Sequence, residues 1–554
     1  MSENRRIVRA AGLVGFYTLI SRIAGLVRDA VIGYHFGTGM AADAFFVAFR
    51  IPNLLRRFVA EGAMSVAFVP VFTDYFTNRS RRAVGEAASA LASLMVVALL
   101  ALSLAGIILA PWLTAFFAPG FVKAPEKFAL TVSLTRWVFP YVLLVSLAAL
   151  CAGILNSVRH FAAPAISPIV LNLAMIGATV GLCPRLQEPV RGLAYGVLIG
   201  GVLQLGLQIP PLLWHGVSVV PRWDPRHEAV RRSLGLMGPM VFGAAVYQIN
   251  LMISTMLASV LPSGSVSYIW YADRVFEFPL GIFAMALGTA ALPSFAAQAG
   301  RGAHDELRQS LSFAVRVNNC IVLPATVGLI SLSTPIVSVL FQRGVFGAQE
   351  VRLTANALCA FALGLWPVSL VRLLIPAFYA VEDARTPVVA AAAAFLANCV
   401  FSLLLMGPVD GPGDSPFAAA IAAATQVTSL ADLRHVGLAL ATSLSATVNL
   451  VLLAVALRRR IGAWGGSEVR RSFLRSAVAS LVMIAPVHYL AALADWTQPG
   501  ATLLHAGILA VAVTAGVGTY VAMILTLGGE ELRWLTAARD RLRMGGHDRH
   551  NGRG

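Results

Sequence analysis

Long apolar runs, each of about 20 residues, recur along the chain and alternate with short connections that carry charge, proline or glycine. Such runs predict membrane-spanning helices, because barrel strands are shorter and alternate apolar with polar residues. The pattern therefore predicts an all-α polytopic membrane protein with about fourteen transmembrane helices. The approximate spans are 8 to 34, 42 to 70, 87 to 116, 130 to 156, 163 to 183, 191 to 213, 234 to 261, 267 to 298, 309 to 332, 350 to 380, 387 to 406, 434 to 457, 472 to 492 and 502 to 527.

Charges between the spans predict which side of the membrane each connection faces. The odd-numbered connections are short or carry acidic residues such as Asp410, Asp414 and Asp495, whereas arginines concentrate in the even-numbered ones. Because basic connections stay in the cytoplasm, the even-numbered connections and both termini are predicted to be cytoplasmic. The arginines are Arg79, Arg81, Arg82, Arg222, Arg226, Arg231, Arg232, Arg301, Arg308, Arg458, Arg459 and Arg460.

Composition agrees with the membrane class. The chain is 58% hydrophobic and 12% charged, whereas soluble domains carry about 25% charged residues. The net charge of +16 is almost all arginine in connections and termini, so topology explains it better than nucleic-acid binding. Arg22 interrupts the first apolar run, and no small-residue cleavage site follows, so we expect a retained span rather than a signal peptide. The cysteines stand singly and the histidines lack ligand spacing, which predicts packing roles and no metal site.

Two features interrupt the regular pattern. Residues 407 to 435 form a long outer connection whose Ala-rich middle could form a short surface helix; it is either a tolerated insertion or a functional loop. Residues 48 to 72 echo residues 272 to 295, since each segment runs A-x-R, then a proline, then a small-residue helix ending in P-x-F. Such repeats are typical of transporters whose two halves rock about a central site, although two matches in a biased composition can also arise by chance.

Charged residues within apolar spans, or at their ends, cluster in four of the spans. Each costs about 2.5 kcal/mol or more in hydrocarbon, so intramembrane charges usually face a cavity or a substrate path. Internal pairing and snorkelling are the alternatives, and we favour them for Arg57 and Arg372. For four other arginines we favour a polyanionic ligand, because the guanidinium fork suits phosphate. These are Arg22, Arg28, Arg56 and Arg274, with Asp29, Asp43, Arg50, Glu61, Asp273 and Glu277 as charged neighbours, and Glu277 within reach of Arg274 at i+3.

Enzyme motifs do not compete with this interpretation. The sequence contains no phosphate-binding loop, no G-x-S-x-G elbow, no H-E-x-x-H pair and no soluble domain large enough for a nucleotide site. A transporter that does not use ATP is therefore expected rather than an enzyme.

Two long segments carry a specific motif pattern. They are SRIAGLVRDAVIGYHFGTGMAADAFFVAFRIPNLLRRFVAEGAMSVAFVPVF (21 to 72) and GSVSYIWYADRVFEFPLGIFAMALGTAALPSF (264 to 295). Both segments resemble the MurJ/MviN family of lipid II flippases. The similarity continues through APWLTAFFAPGF (110 to 121), PYVLLVSLAALCAGILNS (140 to 157) and PAFYAVEDARTPV (376 to 388). Only the 407 to 435 connection and the C-terminal tail depart from the family pattern.

The resemblance implies the fold of the multidrug/oligosaccharidyl-lipid/polysaccharide exporter superfamily, with two pseudo-symmetric six-helix lobes and two further C-terminal helices. On this sequence the lobes correspond to residues 1–214 and 215–460. Residues 461–530 would form the last two helices, which line a groove for the lipid tail, and residues 531–554 a basic cytoplasmic tail.

The resemblance also implies a substrate and a site. The substrate would be lipid II, the undecaprenyl-pyrophosphate-linked peptidoglycan precursor, flipped to the outer leaflet of the bacterial inner membrane. Essential family arginines match Arg22, Arg28 and Arg56 in the first lobe and Arg274 in the second, and a family acidic position matches Asp43. They would line a cationic cavity between the lobes that first opens to the cytoplasm and then outward.

Energy coupling is where this sequence and some family members differ. Those members have a sodium site that includes an acidic residue on the seventh helix, but VYQINLMISTML (246 to 257) offers only Gln248 and Asn250. Sodium coupling is therefore in doubt, Asn398 is the nearest other candidate ligand, and no resident cofactor is expected. Membrane potential is the expected driving force.

Two rival functions stay open at this point. Another exporter of the superfamily would carry a polysaccharide-lipid or a drug, but a cation-drug antiporter needs unpaired intramembrane carboxylates, and here the acids lie beside arginines. A scaffold of the cell-wall synthesis and division machinery could use the basic tail 533 to 554, which attraction to anionic lipids explains equally well. The expected partners are lipid II, membrane lipids and that machinery, not nucleic acid.

Overall fold

A computed structural model describes residues 3–56, 65–217, 222–409, 415–498, 500 and 502–529. Within these ranges the chain is helical almost throughout. The helices are α1 Glu3–Phe36, α2 Met40–Arg56, α3 Ser65–Asn78, α4 Arg81–Ile108, α5 Ala110–Phe117, α6 Pro125–Val138, α7 Tyr141–Ser157, α8 Ala162–Gly181, α9 Arg191–Trp214, α10 Glu228–Ser259, α11 Ser265–Pro279, α12 Met285–Gly300, α13 His304–Ser331, α14 Ser333–Phe341, α15 Ala348–Ala362, α16 Leu365–Ala380, α17 Arg385–Leu405, α18 Pro416–Thr428, α19 Arg434–Ile461, α20 Gly466–Val482, α21 Ile484–Ala491 and α22 Thr502–Thr526.

The predicted spans coincide with these helices. Among the described residues, nine helical segments are long and apolar enough to cross a membrane, or ten if the bent pair α15 and α16 forms one span. Each remaining predicted span also has one helix or consecutive helices at its position, such as α1 for the first span. The chain is therefore an all-α, multi-pass membrane protein.

Proline accounts for breaks in several spans, because its ring removes a backbone donor and clashes with the preceding turn. The helices α6 and α7 are separated at Phe139 and Pro140. The helix α11 ends at Pro279 and is followed by a π-helical turn, Leu280–Ala284, before α12 begins. Such π-turns are frequent at functional sites, and this one follows the predicted site residues of α11.

The connection 407 to 435 contains the short helix that the sequence predicted. The helix α18 buries Ala418, Ala422 and Thr425, which lie on one face because they are spaced four and three residues apart. Met406 and Asp432, at the two ends of the connection, form an isolated antiparallel bridge. The connection therefore leaves and returns at neighbouring points.

The chain divides into two compact units. The first comprises residues 1–271, 343–350 and 406–438, and the second comprises 272–342, 351–405 and 439–554. Phe72 and Tyr75 belong to the core of the first unit, and Phe295 and Phe378 to the core of the second. The lobe boundaries and the lipid-tail groove that the resemblance implies stay predictions.

Glycines bring α9 close to α8 in the first unit. A Cβ on Gly196 would lie 2.7 Å from the Cβ of Ala178, and one on Gly200 would lie 2.6 Å from Cδ1 of Leu171. Small residues at such spacing let membrane helices approach closely. Because α8 also packs along α1, this packing fixes Asn172 of α8 beside the first predicted site residues.

Candidate functional site

Arg28 has the most completely defined surroundings of the predicted site arginines. It lies on α1 and is 7% exposed. Its Nε and Nη2 donate to Oδ1 of Asp29 at 2.9 and 2.8 Å, and its Nη1 donates to Oδ1 of Asn172 at 3.0 Å. Nη1 also lies 4.0 Å from the sulfur of Met175, a weak acceptor. Two strong acceptors therefore fix the orientation of the guanidinium plane.

Asn172 is the partner that the sequence analysis missed. Its Nδ2 donates to the carbonyl oxygen of Ser21 at 3.1 Å, so the amide oxygen is left facing Arg28. An asparagine in an apolar helix is usually a packing residue, and no spacing connects it to an arginine 144 positions away. The contact follows only from the packing of α8 against α1.

Arg22 and Arg56 belong to the same unit as Arg28. Arg22 is half-buried and lies six residues before Arg28 on α1, about 9 Å along the helix axis. Nε of Arg56, at the end of α2, donates to Oδ1 of Asn53 at 2.8 Å. The neighbouring segment, with Arg57 and Glu61, lies outside the described residues. Three of the four predicted arginines are thus in the first unit.

Arg274 lies on α11 in the second unit. Its Nη1 donates to Oε2 of Glu277 at 3.2 Å, which confirms the predicted i+3 pair. The two side chains are 26% and 30% exposed, so this pair is more open than the one between Arg28 and Asp29. Asp273 beside it is half-buried. An open ion pair exchanges its carboxylate for another anion at less cost than a buried one.

Asp43 is enclosed by donors in the first unit. Its Oδ2 accepts from Nζ of Lys127 at 2.6 Å and from the Gly264 amide at 2.8 Å. Its Oδ1 accepts from the amide and the hydroxyl of Ser267 at 2.9 and 2.6 Å. Because α11 begins at Ser265, the carboxylate lies at a helix N-terminus, where free amides and the helix dipole favour an anion. One side chain thus connects α2, α6 and the start of α11.

Lys127 is a second residue that the sequence analysis missed. It is 7% exposed, and its Nζ lies 4.1 Å from the ring centroid of Phe121. The chain contains only two lysines, Lys123 and Lys127, against forty arginines. The rare use of lysine at position 127 could have indicated an ion pair from the sequence alone. A lysine offers a compact point charge for a single carboxylate, whereas an arginine would need a wider site.

The contacts of Arg50 support internal pairing with protein groups, the alternative to binding a ligand. Its Cζ lies 5.2 Å from the ring centroid of Trp270, and its guanidinium donates to the hydroxyl of Thr255. Trp270 in turn stacks on Phe46, with ring centroids 4.6 Å apart. This arginine is therefore held by protein groups of the first unit.

The candidate sodium ligands are neutral amides. Gln248 is buried and Asn250 half-buried, while Oδ1 of Asn398 accepts a hydrogen bond from Ser402 at 3.0 Å. Over the described part of the chain, no group of three or more His, Cys, Asp or Glu side chains could hold a metal ion. The Ser402 hydroxyl takes one of the two lone pairs of that amide oxygen.

Comparison with known proteins gives consistent similarities in sequence. A family model described as lipid II flippase MurJ matches residues 32–509. A Burkholderia cenocepacia protein named lipid II flippase MurJ is 35% identical over 529 residues, which cover 94% of this chain and 98% of the relative. A Haemophilus influenzae relative is 34% identical and covers 94% of this chain and 99% of its own. The similarity therefore extends along almost the whole chain.

Solved structures give the same result for the fold. A structure described as lipid II flippase MurJ in an inward closed conformation matches with a TM-score of 0.73 at 25% identity, covering 92% of this chain and 97% of that one. A multidrug resistance MATE family transporter of the MOP superfamily matches with a TM-score of 0.65 at 15% identity, covering 81% and 96%. The second likeness concerns the fold alone and agrees with the predicted superfamily.

Proposed function

The chain belongs to the MurJ family of lipid II flippases, and from this premise we propose that it moves lipid II from the cytoplasmic to the outer leaflet of the bacterial inner membrane. The observation that carries the proposal is the 35% identity to a named relative over 94% of the chain. The protein would act as a transporter by alternating access, without catalysis. The arginine-rich even connections support cytoplasmic termini.

We assign the pyrophosphate of the substrate to Arg22, Arg28, Arg56 and Arg274. The surroundings of Arg28 support this assignment most directly, because Asp29 and Asn172 hold its planar fork in one orientation. A phosphate oxygen would replace the weak thioether acceptor next to Nη1. Until substrate arrives, Asp29 offsets a buried charge that would be costly alone.

Membrane potential would supply the driving force. With the cell interior negative, each negative charge carried outward gains about 2.3 kcal/mol per 100 mV. Neutral Gln248 and Asn250 support this choice over sodium, because a hard cation usually needs a carboxylate among its oxygen ligands. No resident metal or cofactor is part of the proposal.

Complementation tests the function and the arginines together. In a bacterium depleted of its own lipid II flippase, this protein should restore growth, and Arg274→Ala should insert normally but fail. Arg185→Ala is the matched control, because Arg185 is an exposed arginine that belongs neither to the predicted pyrophosphate site nor to the candidate sodium ligands. Failure of the correctly inserted wild-type protein would contradict the function, and growth with Arg274→Ala at native expression would contradict the assignment of that residue.

Coupling needs a separate measurement. In proteoliposomes, lipid II translocation should respond to a potassium-valinomycin potential at constant sodium concentration. Flux that follows an imposed sodium gradient and ignores the potential would contradict the coupling proposal, and Asn398 with its neighbours would then be the first residues to test.

A further inference from the structure

The turn after α7 and the turn after α16 have the same backbone conformation. Their sequences are SVRHFAAP (157 to 164) and AVEDARTP (380 to 387), and both connections are predicted to be cytoplasmic. The third residue of each turn has a positive φ, 63° at Arg159 and 59° at Glu382. The fourth residue of each donates its amide to the carbonyl oxygen five positions back, at 2.8 and 2.9 Å, as in the Schellman motif. These equivalent fourth residues are His160 and Asp383.

In the second unit an ion pair closes this corner. Asp383 accepts from the amide and the hydroxyl of Thr386, at 3.0 and 2.7 Å. Its Oδ2 also accepts from Nη1 of Arg460 at 2.8 Å, near the end of α19. Aspartate and arginine keep opposite charges between pH 5 and 8. The contact between the start of α17 and the end of α19 is therefore insensitive to pH in that range.

In the first unit the equivalent position carries a histidine that contacts a second histidine. The rings of His160 and His215 lie edge-on, with centroids 5.4 Å apart and planes at 75°. His215 directly follows α9, the sixth predicted span, as Arg460 lies near the end of the twelfth. Its Nδ1 donates to the carbonyl oxygen of Pro211 at 2.7 Å, because a carbonyl can only accept. Two half-buried imidazoles thus replace the ion pair of the second unit.

A proton on His160 is disfavoured by its surroundings. Burial lowers the pKa of His160, and the neighbouring His215 lowers it further. Arg159, the next residue along the chain, is exposed and permanently positive. Once His215 is charged, a proton on His160 therefore meets like charges. The folded corner favours the neutral ring, and it takes up the second proton only below the ordinary histidine pKa of about 6.5.

Charged side chains on the surrounding elements have partners of their own. The helix α8 carries no titratable residue over 162–181. At the end of α2, Arg56 donates to Asn53, and before α10 the His227 ring accepts the Ala229 amide. Acidic residues on α3, α4 and α10, which share a core with the end of α7, are paired with arginines. These pairs are Asp74 with Arg232, Glu86 with Arg222, and Glu228 with Arg79.

The end of α9 is mechanically connected to the predicted pyrophosphate site. Gly196 and Gly200 let α9 pack closely along α8, and α8 packs along α1. Asn172 on α8 accepts the hydrogen bond that orients Arg28. Because packed helices move as rigid elements, a displacement of α9 shifts the helix that carries Asn172.

We propose that His160 and His215 form a pH-sensitive clasp, which holds the ends of α7 and α9 together when the rings are neutral and releases them when both are protonated. Two charged imidazoles repel each other, whereas a neutral pair keeps its edge-on contact. Release disturbs the position of Asn172, so lipid II transport falls when the cytoplasm becomes acidic. This effect on transport rests on the proposed function, whereas the clasp itself does not.

Spin labels test the clasp in the full chain without lipid II. The five native cysteines are replaced by alanine, and labels are attached at Ser157→Cys and Trp214→Cys, the last residues of α7 and α9. Double electron–electron resonance then gives the distance between the labels at pH about 7.5 and about 5, on either side of the ordinary histidine pKa. The distance distribution should be narrow at the higher pH and should widen and shift to longer distances at the lower one.

Three variants in the labelled protein show whether the histidines cause the change. His160→Gln leaves one titratable ring and should keep the distribution narrow at both pH values. His160→Asp/His215→Arg copies the ion pair of the second unit and should do the same. His304→Gln, on an exposed histidine of α13, is the matched control and should still widen. A distribution that ignores pH with both histidines present, or widening that persists in His160→Gln, would overturn the clasp.

Flux measurements test the effect on transport. With equal pH on both sides of the liposomes, lipid II flux through the wild-type protein should be lower at pH about 5 than at about 7.5. His160→Gln should remove that difference, and His304→Gln should retain it. Equal wild-type flux at both pH values would overturn the regulation of transport. Wild-type flux absent at every pH would contradict the proposed function and this regulation with it, while the spin-label result would still decide the clasp.

Discussion

At the scale of single residues, Asn172 orients Arg28 by accepting a hydrogen bond from its guanidinium at 3.0 Å. The sequence identified Arg28 because a charge in an apolar span is costly, and it identified the pair of Arg274 and Glu277 because i+3 neighbours share a helix face. It did not identify Asn172 or Lys127, since each acts across helices that only tertiary packing brings together. Local periodicity therefore predicted the arginines, but not the groups that orient them or neutralise nearby acids.

Arg28→Lys tests whether the planar fork matters rather than charge alone. Lysine keeps the charge but cannot donate to Asp29 and Asn172 in the same plane, so we expect lipid II binding to weaken by about tenfold or more. Asn172→Ala should weaken binding in the same direction without removing a charge. Binding is measured with lipid II in detergent, with Arg185→Lys as the control. Wild-type affinity in Arg28→Lys would reduce the role of Arg28 to that of a point charge.

Lys127→Met tests the enclosed ion pair with Asp43. Methionine is similar in length but leaves the buried carboxylate without its cation, which we expect to cost about 3–5 kcal/mol of unfolding free energy. The double variant Asp43→Asn/Lys127→Met should recover part of that loss, because no charge is then left uncompensated. Denaturation by SDS titration measures Lys127→Met, Asp43→Asn and the double variant. Additive losses in the double variant would show that the two side chains are not coupled.

At the scale of helices, apolar run length predicted where the spans lie but not how they are built. Several predicted spans are pairs of helices, and proline marks the breaks at Pro140 and Pro279. The sequence did predict α18, because an Ala-rich stretch that follows a Gly/Pro-rich start favours a short helix. Breaks are harder to predict because membrane helices tolerate proline when neighbouring groups satisfy the freed carbonyls.

Asp383 at the start of α17 gives a prediction that depends on pH. The Thr386 backbone amide, 3.0 Å from its Oδ1, lowers the pKa of Asp383, and the Thr386 hydroxyl and Arg460 act in the same direction. The ionised carboxylate of Asp383 therefore adds its full contribution to the free energy of unfolding above the ordinary carboxyl pKa of about 3.9. That contribution is lost as pH falls through the lower pKa of Asp383 in the folded protein. Asp383→Asn should lower the free energy of unfolding by about 1 kcal/mol at neutral pH. The two proteins should converge in acid, and a difference that persists there would contradict the assignment.

The connection 407 to 435 gives a prediction about a whole element. Replacing residues 411 to 430 by a short Gly/Ser linker should leave lipid II flux largely intact, because the segment departs from the family pattern. The bridge between Met406 and Asp432 shows that the remaining ends lie side by side, so closing the gap needs little chain. Flux is compared at equal amounts of reconstituted protein. A collapse of flux in a protein that still folds would identify the connection as part of the transport cycle.

At the scale of the whole molecule, composition and apolar periodicity were sufficient for the membrane class, and the resemblance added the superfamily fold. Neither indicated that the first compact unit includes the short segments 343–350 and 406–438 from the second half of the sequence. Such assignments depend on long-range packing, which leaves no periodic signal in the segments concerned.

Transport of lipid II itself is the central claim, and reconstituted translocation tests it most directly. Purified protein is placed in liposomes with labelled lipid II, and the fraction that reaches the opposite leaflet is measured beside empty liposomes. Wild-type protein and Arg185→Ala should move the label well above the empty control, and Arg28→Ala and Arg274→Ala should not. Wild-type flux equal to that of empty liposomes, in protein shown to be folded, would contradict the account.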